Sequence, residues 1–469
     1  MKKNIIAFLG IMSVLFCSAQ TQEQEAWNET YKKIEKNIKA PVFKNKVYKI
    51  TDFGAKADNA EFLNHSAINS AIKKCSEDGG GTVLVPAGTW YCGPITLLKN
   101  VNLKIDKGAT LRFSSDTSLY PLVKTRWEGM DCYNYQPLIY AYQQDNIAIT
   151  GKGTIDGNAS NDKWWNMCGA PRFGWKEGIV SQRIGRPTLA NWNNEGVPVE
   201  KRKMGDGYGM RPQLVNLYHC NNILIEEVSM IHSPFWTLHP LFCNNVTVRK
   251  VKFINDGPNG DGCDPESCNN VLIEDCYFDT GDDCIAIKSG RNRDGLTANV
   301  PSQNMIVRNS TMKNGHGGVV VGSEISGGYK NLFVENCVMD SPELERAIRI
   351  KTNSARGGVI EGIYVRNVKV GQCKEAVLRI NLNYEKGEPR PVEVFPFVKN
   401  VFLQNVTSNK SKFGIFIDGY DDKTNVSNIK IIDCKFDNVQ EDIKVLGKVE
   451  GLQLQNVTIG GKKMKDGLQ

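Results

Sequence analysis

Four short stretches carry a density of reactive side chains that no ordinary turn needs. They read Asn259-Gly260-Asp261-Gly262, Gly281-Asp282-Asp283, Gly315-His316-Gly317 and Arg349-Ile350-Lys351. Three carboxylates, an imidazole and two cations in one patch would form an acid–base site. Carboxylates held close together repel, which raises the pKa of at least one. A protonated acid beside an ionised base is what glycosidic-bond hydrolysis requires. Arg349 and Lys351 would hold an anionic sugar, since a guanidinium grips a carboxylate bidentately. Glycines beside Asp261, Asp282 and His316 would let a ring approach the backbone. Any one stretch alone reads as an Asn/Asp-rich turn with a solvated salt-bridge net. All four in successive units favour the catalytic reading.

Those units come from a repeat. An Asn, then alternating β-formers, then a polar pair recurs as NNILIEEV from Asn221, NNVTVRKV from Asn244, NNVLIEDC from Asn269 and QNMIVRNS from Gln303. It continues from Lys330, Glu361, Lys399, Ser427 and Glu450, with weaker copies at Asn100 and Asp145. Counted on the second residue from Asn222, the steps are 23, 25, 34, 27, 31, 38, 28 and 23 residues. Period-2 alternation argues strands. One strong strand and a turn Asn in about two dozen residues suits one coil of a solenoid, which buries its apolar face only against its neighbours. The longer steps read as loops inserted on one side. The repeat predicts Asp261, Asp282 and His316 in one column, with coils about 4.8 Å apart.

Two regions depart from the repeat at the start of the chain. Residues 21–39 place Trp27, Tyr31, Ile34 and Ile38 at helical spacing, and residues 66–75 read as a helix that would cap the solenoid's open end. Residues 157–215 form a long insertion with Trp164, Trp165, Trp175 and Arg211, and long loops on a rigid scaffold collect binding residues. Trp164 and Trp165 read equally as sugar platforms or as packing, and Arg211 as a substrate contact or a loop salt bridge.

The remaining composition narrows the class. The chain has 469 residues, 41% hydrophobic and 23% charged, with a net charge of +7. That is ordinary globular usage, and no stretch concentrates charge into a nucleic-acid arm. Met1-Lys2-Lys3, the apolar run Ile5 to Phe16 and Cys17-Ser18-Ala19-Gln20 fit a signal segment. The expectation is therefore an exported protein without a membrane span, with a lipoprotein acceptor at Cys17 as the less favoured alternative. Fourteen cysteines with no CxxC pair read as buried free thiols.

The four stretches resemble the signatures of the polygalacturonase family of pectin glycosidases, glycoside hydrolase family 28: Asn-x-Asp, Asp-Asp, Gly-His-Gly and Arg-Ile-Lys, in that order. Similarity runs from Ile50-Thr51-Asp52-Phe53-Gly54-Ala55 to the last coils, and Gly322 to Gly328 is similar to the bacterial branch. Gly260 stands where the family commonly has Thr. The resemblance implies Asp282 as general acid, with Asp261 and Asp283 activating water and His316 tuning the acid. It also implies that Arg349 and Lys351 bind galacturonate, with Asn259 and Arg211 as further substrate-binding candidates. It implies inversion of configuration, although neighbouring coils would set Asp261 and Asp282 closer than the separation of about 6.5–9.5 Å usual for inversion. Ser233 to Pro240 and the aromatic insertion resemble exo-acting members.

The expected fold is all-β, a single right-handed parallel β-helix with an N-terminal helical cap and inserted loops. Residues 1–20 would be signal peptide, 21–45 a helix or linker, and 46–469 the glycosidase domain. No cofactor or metal is expected. The expected partner is a pectic poly- or oligosaccharide, with no nucleic acid, and the chain is expected to be a monomer. Rival readings are a hydrolase of rhamnogalacturonan or xylogalacturonan, a β-helix pectate lyase, and a non-catalytic pectin-binding solenoid.

Overall fold

The computed structural model describes residues 21–389 and 393–468. The expected signal segment, residues 1–20, lies outside them. Each repeat unit forms one coil of a right-handed parallel β-helix. Alternation places one residue in two inside, so equivalent side chains stack from coil to coil. One interior column reads Ile147, Ile223, Val246, Val271, Met305, Leu332, Ile363, Val401, Ile429 and Leu452. All ten are buried. Burying each such side chain contributes about 1.5–3 kcal/mol before conformational entropy is charged against it.

The recurrent Asn has two tasks. Asn146, Asn222, Asn245, Asn270, Asn304 and Asn331 all adopt φ between 54° and 63°, the left-handed region that Asn tolerates better than other non-glycine residues. Their amides also bond along the helix axis, as from Asn245 Nδ2 to Asn222 Oδ1 (2.6 Å) and from Asn331 Nδ2 to Asn304 Oδ1 (2.9 Å). Where it runs, this ladder satisfies the polar groups of the corner; Gly362 and Gly451 take the same left-handed position in two later coils.

Three sheets make the faces. The first has fourteen strands and the second thirteen. The third is split into a four-stranded part ending at Leu238–Leu241 and a six-stranded part starting at Ile285–Ile287. Residues 261–266 fill the gap with single bridges, Cys263 to Leu238 and Ile285, and Glu266 to Leu241 and Lys288. The break in regular strand therefore falls at the first chemical stretch.

The ends are closed. Helix His65–Glu77 buries Ala67, Ile68, Ala71, Ile72 and Cys75 against the first strands, as its periodicity predicts. Short antiparallel strands cover the other end. The helical stretch spanning 22–37 packs outside the first sheet, with Trp27 and Tyr31 edge-on to Phe333 and Arg366 3.7 Å above the Trp27 ring. Among the described residues no helix is long and apolar enough to cross a membrane. All thirteen described cysteines are unpaired and all but Cys168 are buried.

Candidate active site

The third sheet's alternation explains the last stretch. In strand Arg346–Lys351, Ile348 and Ile350 point into the core, so Arg349 and Lys351 share the outer face. The same logic turns Ile285 and Ile287 inward and Lys288 outward. Register then sets the neighbours. Cys263 pairs with Ile285, and Ile285 with Val319, so Asp282 faces His316 while Asp261 lies opposite Asp283. The single column expected for Asp261, Asp282 and His316 is thus corrected by one residue. The flanking glycines serve coil packing rather than sugar access: a Cβ on Gly262 would stand 2.5 Å from the Cys284 carbonyl, and one on Gly315 2.5 Å from that of Asp282.

One oxygen from each of Asp261, Asp282 and Asp283 lies within 4.8 Å of the others. His316 Nδ1 is 2.9 Å from Asp282 Oδ1. Lys351 Nζ donates to Asp283 Oδ2 at 2.7 Å, and Arg349 Nη1 stands 3.5 Å from Asp283 Oδ1. A cavity of about 270 Å³ opens over this cluster, lined by Asn259, Asp261, Asp282, His316 and Lys351 and by residues the sequence did not single out. Lys288 and Tyr384 are among the latter; Trp236 and Glu324, from the stretches 233–240 and 322–328, also line it, with Lys288 Nζ 4.4 Å above the Trp236 ring.

Charge is distributed unevenly. Burial pushes the Asp282 carboxyl up, but the His316 hydrogen bond and the charges of His316, Lys351 and Lys288 outweigh it and hold Asp282 well below the usual carboxylate range. The same hydrogen bond raises His316. Asp261 moves the other way: burial, then Asp264 and Asp282, push it well above the ordinary value. In the free protein the expected acid is therefore ionised, and Asp261 has the higher proton affinity of the two.

Arg211 does not reach the cavity. It is fully buried and donates to the Pro234 and Pro258 carbonyls, to Gln182 Oε1 and to Asn259 Oδ1, each at 2.7 Å. The expected substrate contact is corrected to a support that holds Asn259. Trp164 and Trp165 are likewise buried, with Trp165 Nε1 bonded to the Ser233 carbonyl, so the packing reading holds for both.

Ion pairs roof the cavity. Helix Gln182–Glu195, from the long insertion, carries Arg186, which bonds Glu128 Oε2 at 2.6 Å and Glu385 Oε1 at 3.1 Å. Glu128 sits in the turn of hairpin Leu122–Trp127/Met130–Tyr135, which the repeat pattern did not reveal. Arg291 joins Glu128 (2.9 Å) to Glu388 (2.8 Å).

The similarity to a solved structure decides the family. The chain aligns with the crystal structure of a hyperthermoactive exopolygalacturonase from Thermotoga maritima at 38% identity and a TM-score of 0.89, covering 94% of this chain and 99% of that one. This chain belongs to family 28 of the glycosyl hydrolases. The sequence profile of that family matches residues 190–409, which include all four chemical stretches. A probable polygalacturonase of Vitis vinifera is 28% identical over 383 residues, 79% of this chain and 70% of that protein. An exo-poly-alpha-D-galacturonosidase of Dickeya chrysanthemi is 28% identical over 395 residues, 78% of this chain but 63% of that longer protein. As a family 28 member the protein is a glycosidase.

Proposed function

We propose that this glycosidase hydrolyses α-1,4-galacturonosyl linkages of pectin, removing galacturonate from the non-reducing end with inversion. The observation that carries the reading is that Asp261, Asp282, His316 and Lys351 line one cavity, with Asp282 bonded to His316 and Asp283 buried beneath against Lys351. An anionic sugar suits Lys351 and Lys288, which both line the cavity. As the glycosidic C1–O bond breaks, the leaving oxygen takes its proton from Asp282. That proton rests on His316 Nδ1 in the free protein and crosses 2.9 Å to Asp282 when the substrate carboxylate raises the carboxyl's affinity for it. Water forms the new C1–O bond and gives its proton to Asp261 or Asp283.

Exo action is supported by the roof. Arg186 and Arg291 clamp the inserted helix, the hairpin and the 384–388 loop together across the cavity. A groove blocked in this way admits a chain end rather than a chain middle. Export is supported by the basic and apolar order of residues 1–16. The test is product analysis on calcium-free polygalacturonic acid with wild type and Asp282→Asn. Saturated galacturonate from wild type and none from the variant upholds the reading. An unsaturated product would instead mean a lyase, and release from branched pectin alone would mean a side-chain specialist.

A further inference from the structure

One wall of the cavity over the carboxylates is an ion pair. Arg186 and Glu385 line this cavity and also a second one of about 430 Å³, so their contact, 3.1 Å from Nη2 to Oε1, is a partition between the two. The second cavity lies between helix Gln182–Glu195 and the 385–389 loop. Its volume falls in the range of small-molecule sites, about 300–1,000 Å³. Pro187, Asn191, Lys386, Gly387 and Pro389 of its lining are exposed, so it opens to solvent.

The two halves of the partition are held unequally. Arg186 Nε is anchored by buried Glu128, whose Oε2 is 2.6 Å away. The contact with Glu385 joins side chains that are 39% and 30% exposed, and pairs of that kind contribute little stability. Glu385 also has a second place to go. Its Oε2 stands 3.5 Å from Arg291 Nη2 and 3.6 Å from Arg356 Nη2. The Arg356 nitrogen is buried and has no hydrogen-bond partner among the described residues. A small shift of the Glu385 carboxylate toward it would satisfy that donor and free Arg186. Glu385 has a φ of 49°, a left-handed conformation that a non-glycine residue keeps only where its surroundings impose it.

We propose that Glu385 is a gate and that the second cavity is the exit for the monosaccharide cut from the chain end. The inference rests on the exo reading. With the remaining polymer filling the open mouth, galacturonate freed under the roof has no way past it. Its carboxylate takes the place of Glu385 on Arg186, since both offer two oxygens to the guanidinium. Glu385 moves to Arg291 and Arg356, and the sugar passes through the second cavity into solvent. The polymer then advances by one residue without dissociating, so the enzyme is processive.

The experiment plugs the exit. Gly387 lines the second cavity and not the first, its φ lies outside the left-handed region, and a Cβ there meets nothing within 4 Å. Gly387→Trp therefore fills the passage without straining the backbone. The monosaccharide must then wait for the polymer to leave, so the ratio of kcat on polygalacturonic acid to kcat on digalacturonate falls on the order of tenfold. Digalacturonate is the reference because both of its products are monosaccharides, and the one at the mouth clears the way for the other. On an oligogalacturonide of defined length, wild type releases galacturonate while the unattacked substrate stays full-length, whereas Gly387→Trp accumulates substrate shortened by one residue. Gly387→Ala leaves the passage open and keeps the wild-type ratio. A wild-type ratio in Gly387→Trp would overturn the exit, as would an equal fall in Gly387→Ala or a wild type whose substrate shortens one residue at a time. A wild type that releases no galacturonate refutes the exo reading, and the exit with it, before any variant is compared, so the two failures are distinguishable.

Discussion

His316 Nδ1 stands 2.9 Å from Asp282 Oδ1 across two adjacent coils, and this contact fixes the protonation of both partners. The hydrogen bond raises His316 above 6.5. Asp282 is carried below 3.8 because the same bond and the surrounding cations overcome burial. The Asp282 share of the pair's stabilisation is therefore present above about pH 4 and lost on further acidification. The His316 share is complete below about pH 6.5 and lost as pH rises through the higher folded value. Activity is expected to fall along an alkaline limb centred above 6.5, where His316 gives up the proton it lends to Asp282. His316→Gln should lower kcat on the order of 100-fold and abolish that limb. A pH–rate profile in which the limb survives the substitution would remove His316 from the proton path.

Asp283 is the charge on which the floor of the site depends. Its carboxylate has no exposed surface and faces both Lys351 and Arg349. Asp283→Ala leaves two buried cations uncompensated and is expected to destabilise the fold by about 3–5 kcal/mol. Asp282→Asn replaces a partly exposed carboxylate that borders the cavity, and should abolish turnover with a much smaller loss of stability. Denaturant unfolding of the two variants separates the roles. Equal loss of stability in both would contradict this division.

The Asn column makes a prediction about the scaffold. Asn245 combines φ of 59° with bonds to Asn222 and to the backbone of Lys39, so it joins the corner ladder to the N-terminal arm. Asn245→Gly keeps the backbone geometry and loses only side-chain bonds, which should cost about 1–2 kcal/mol. Asn245→Ala adds the left-handed penalty and should cost about 1–2 kcal/mol more. Guanidinium titrations that rank Ala above Gly in stability would refute the account of the repeat.

What could be read before folding follows from these contacts. The corner Asn recurs because most coils need the same turn, so the coils from Asn100 onward are visible as periodicity, while the first two strands of the sheet, Val47–Lys49 and Gly81–Val85, lack that Asn. The relative register of Asp261 is not visible in this way. Coil 261–266 is irregular, and its place opposite Asp283 depends on single bridges to Leu238 and Ile285 rather than on a strand pattern. Arg211 looked like a ligand because a lone cation in a loop carries no sign of its depth. The stretch Gly322 to Gly328 likewise does not reveal the depth of Glu324, because a carboxylate in sequence says nothing about burial. Lys288 could have been found, since it follows Ile285 and Ile287 on the outward phase of an alternating strand.

The clamp over the cavity predicts how substrate choice can be relaxed. Arg186 is half-exposed, yet it bridges the hairpin turn and the 384–388 loop. Arg186→Ala should leave the carboxylate cluster intact while loosening the roof. KM is expected to rise about tenfold, equivalent to about 1.4 kcal/mol, and short oligogalacturonides should appear among early products. Chromatography of the first few per cent of conversion reads this directly. Monomer alone with an unchanged KM would show that the clamp does not confine the chain end.

Stereochemistry is where separation and family resemblance pull apart, and side-chain engagement decides between them. Carboxyl groups about 5–5.5 Å apart suit retention, in which one carboxylate bonds the anomeric carbon, and one oxygen from each of the three aspartates lies within 4.8 Å of the others. A retaining nucleophile must be free to reach that carbon. Asp283 is fully buried and tied to Lys351, and Asp261 lines the cavity but is only 3% exposed. Asp283 cannot advance on a sugar without leaving Lys351, and Asp261 shows too little of its carboxylate to bond an anomeric carbon, whereas a water molecule is small enough to reach it. Attack by water in one displacement inverts the anomeric centre, so the first product from an α-linked substrate is expected to be the β anomer. Proton NMR during the first minutes, before mutarotation, gives the answer. The α anomer appearing first would mean that one of these aspartates advances on the sugar as the nucleophile.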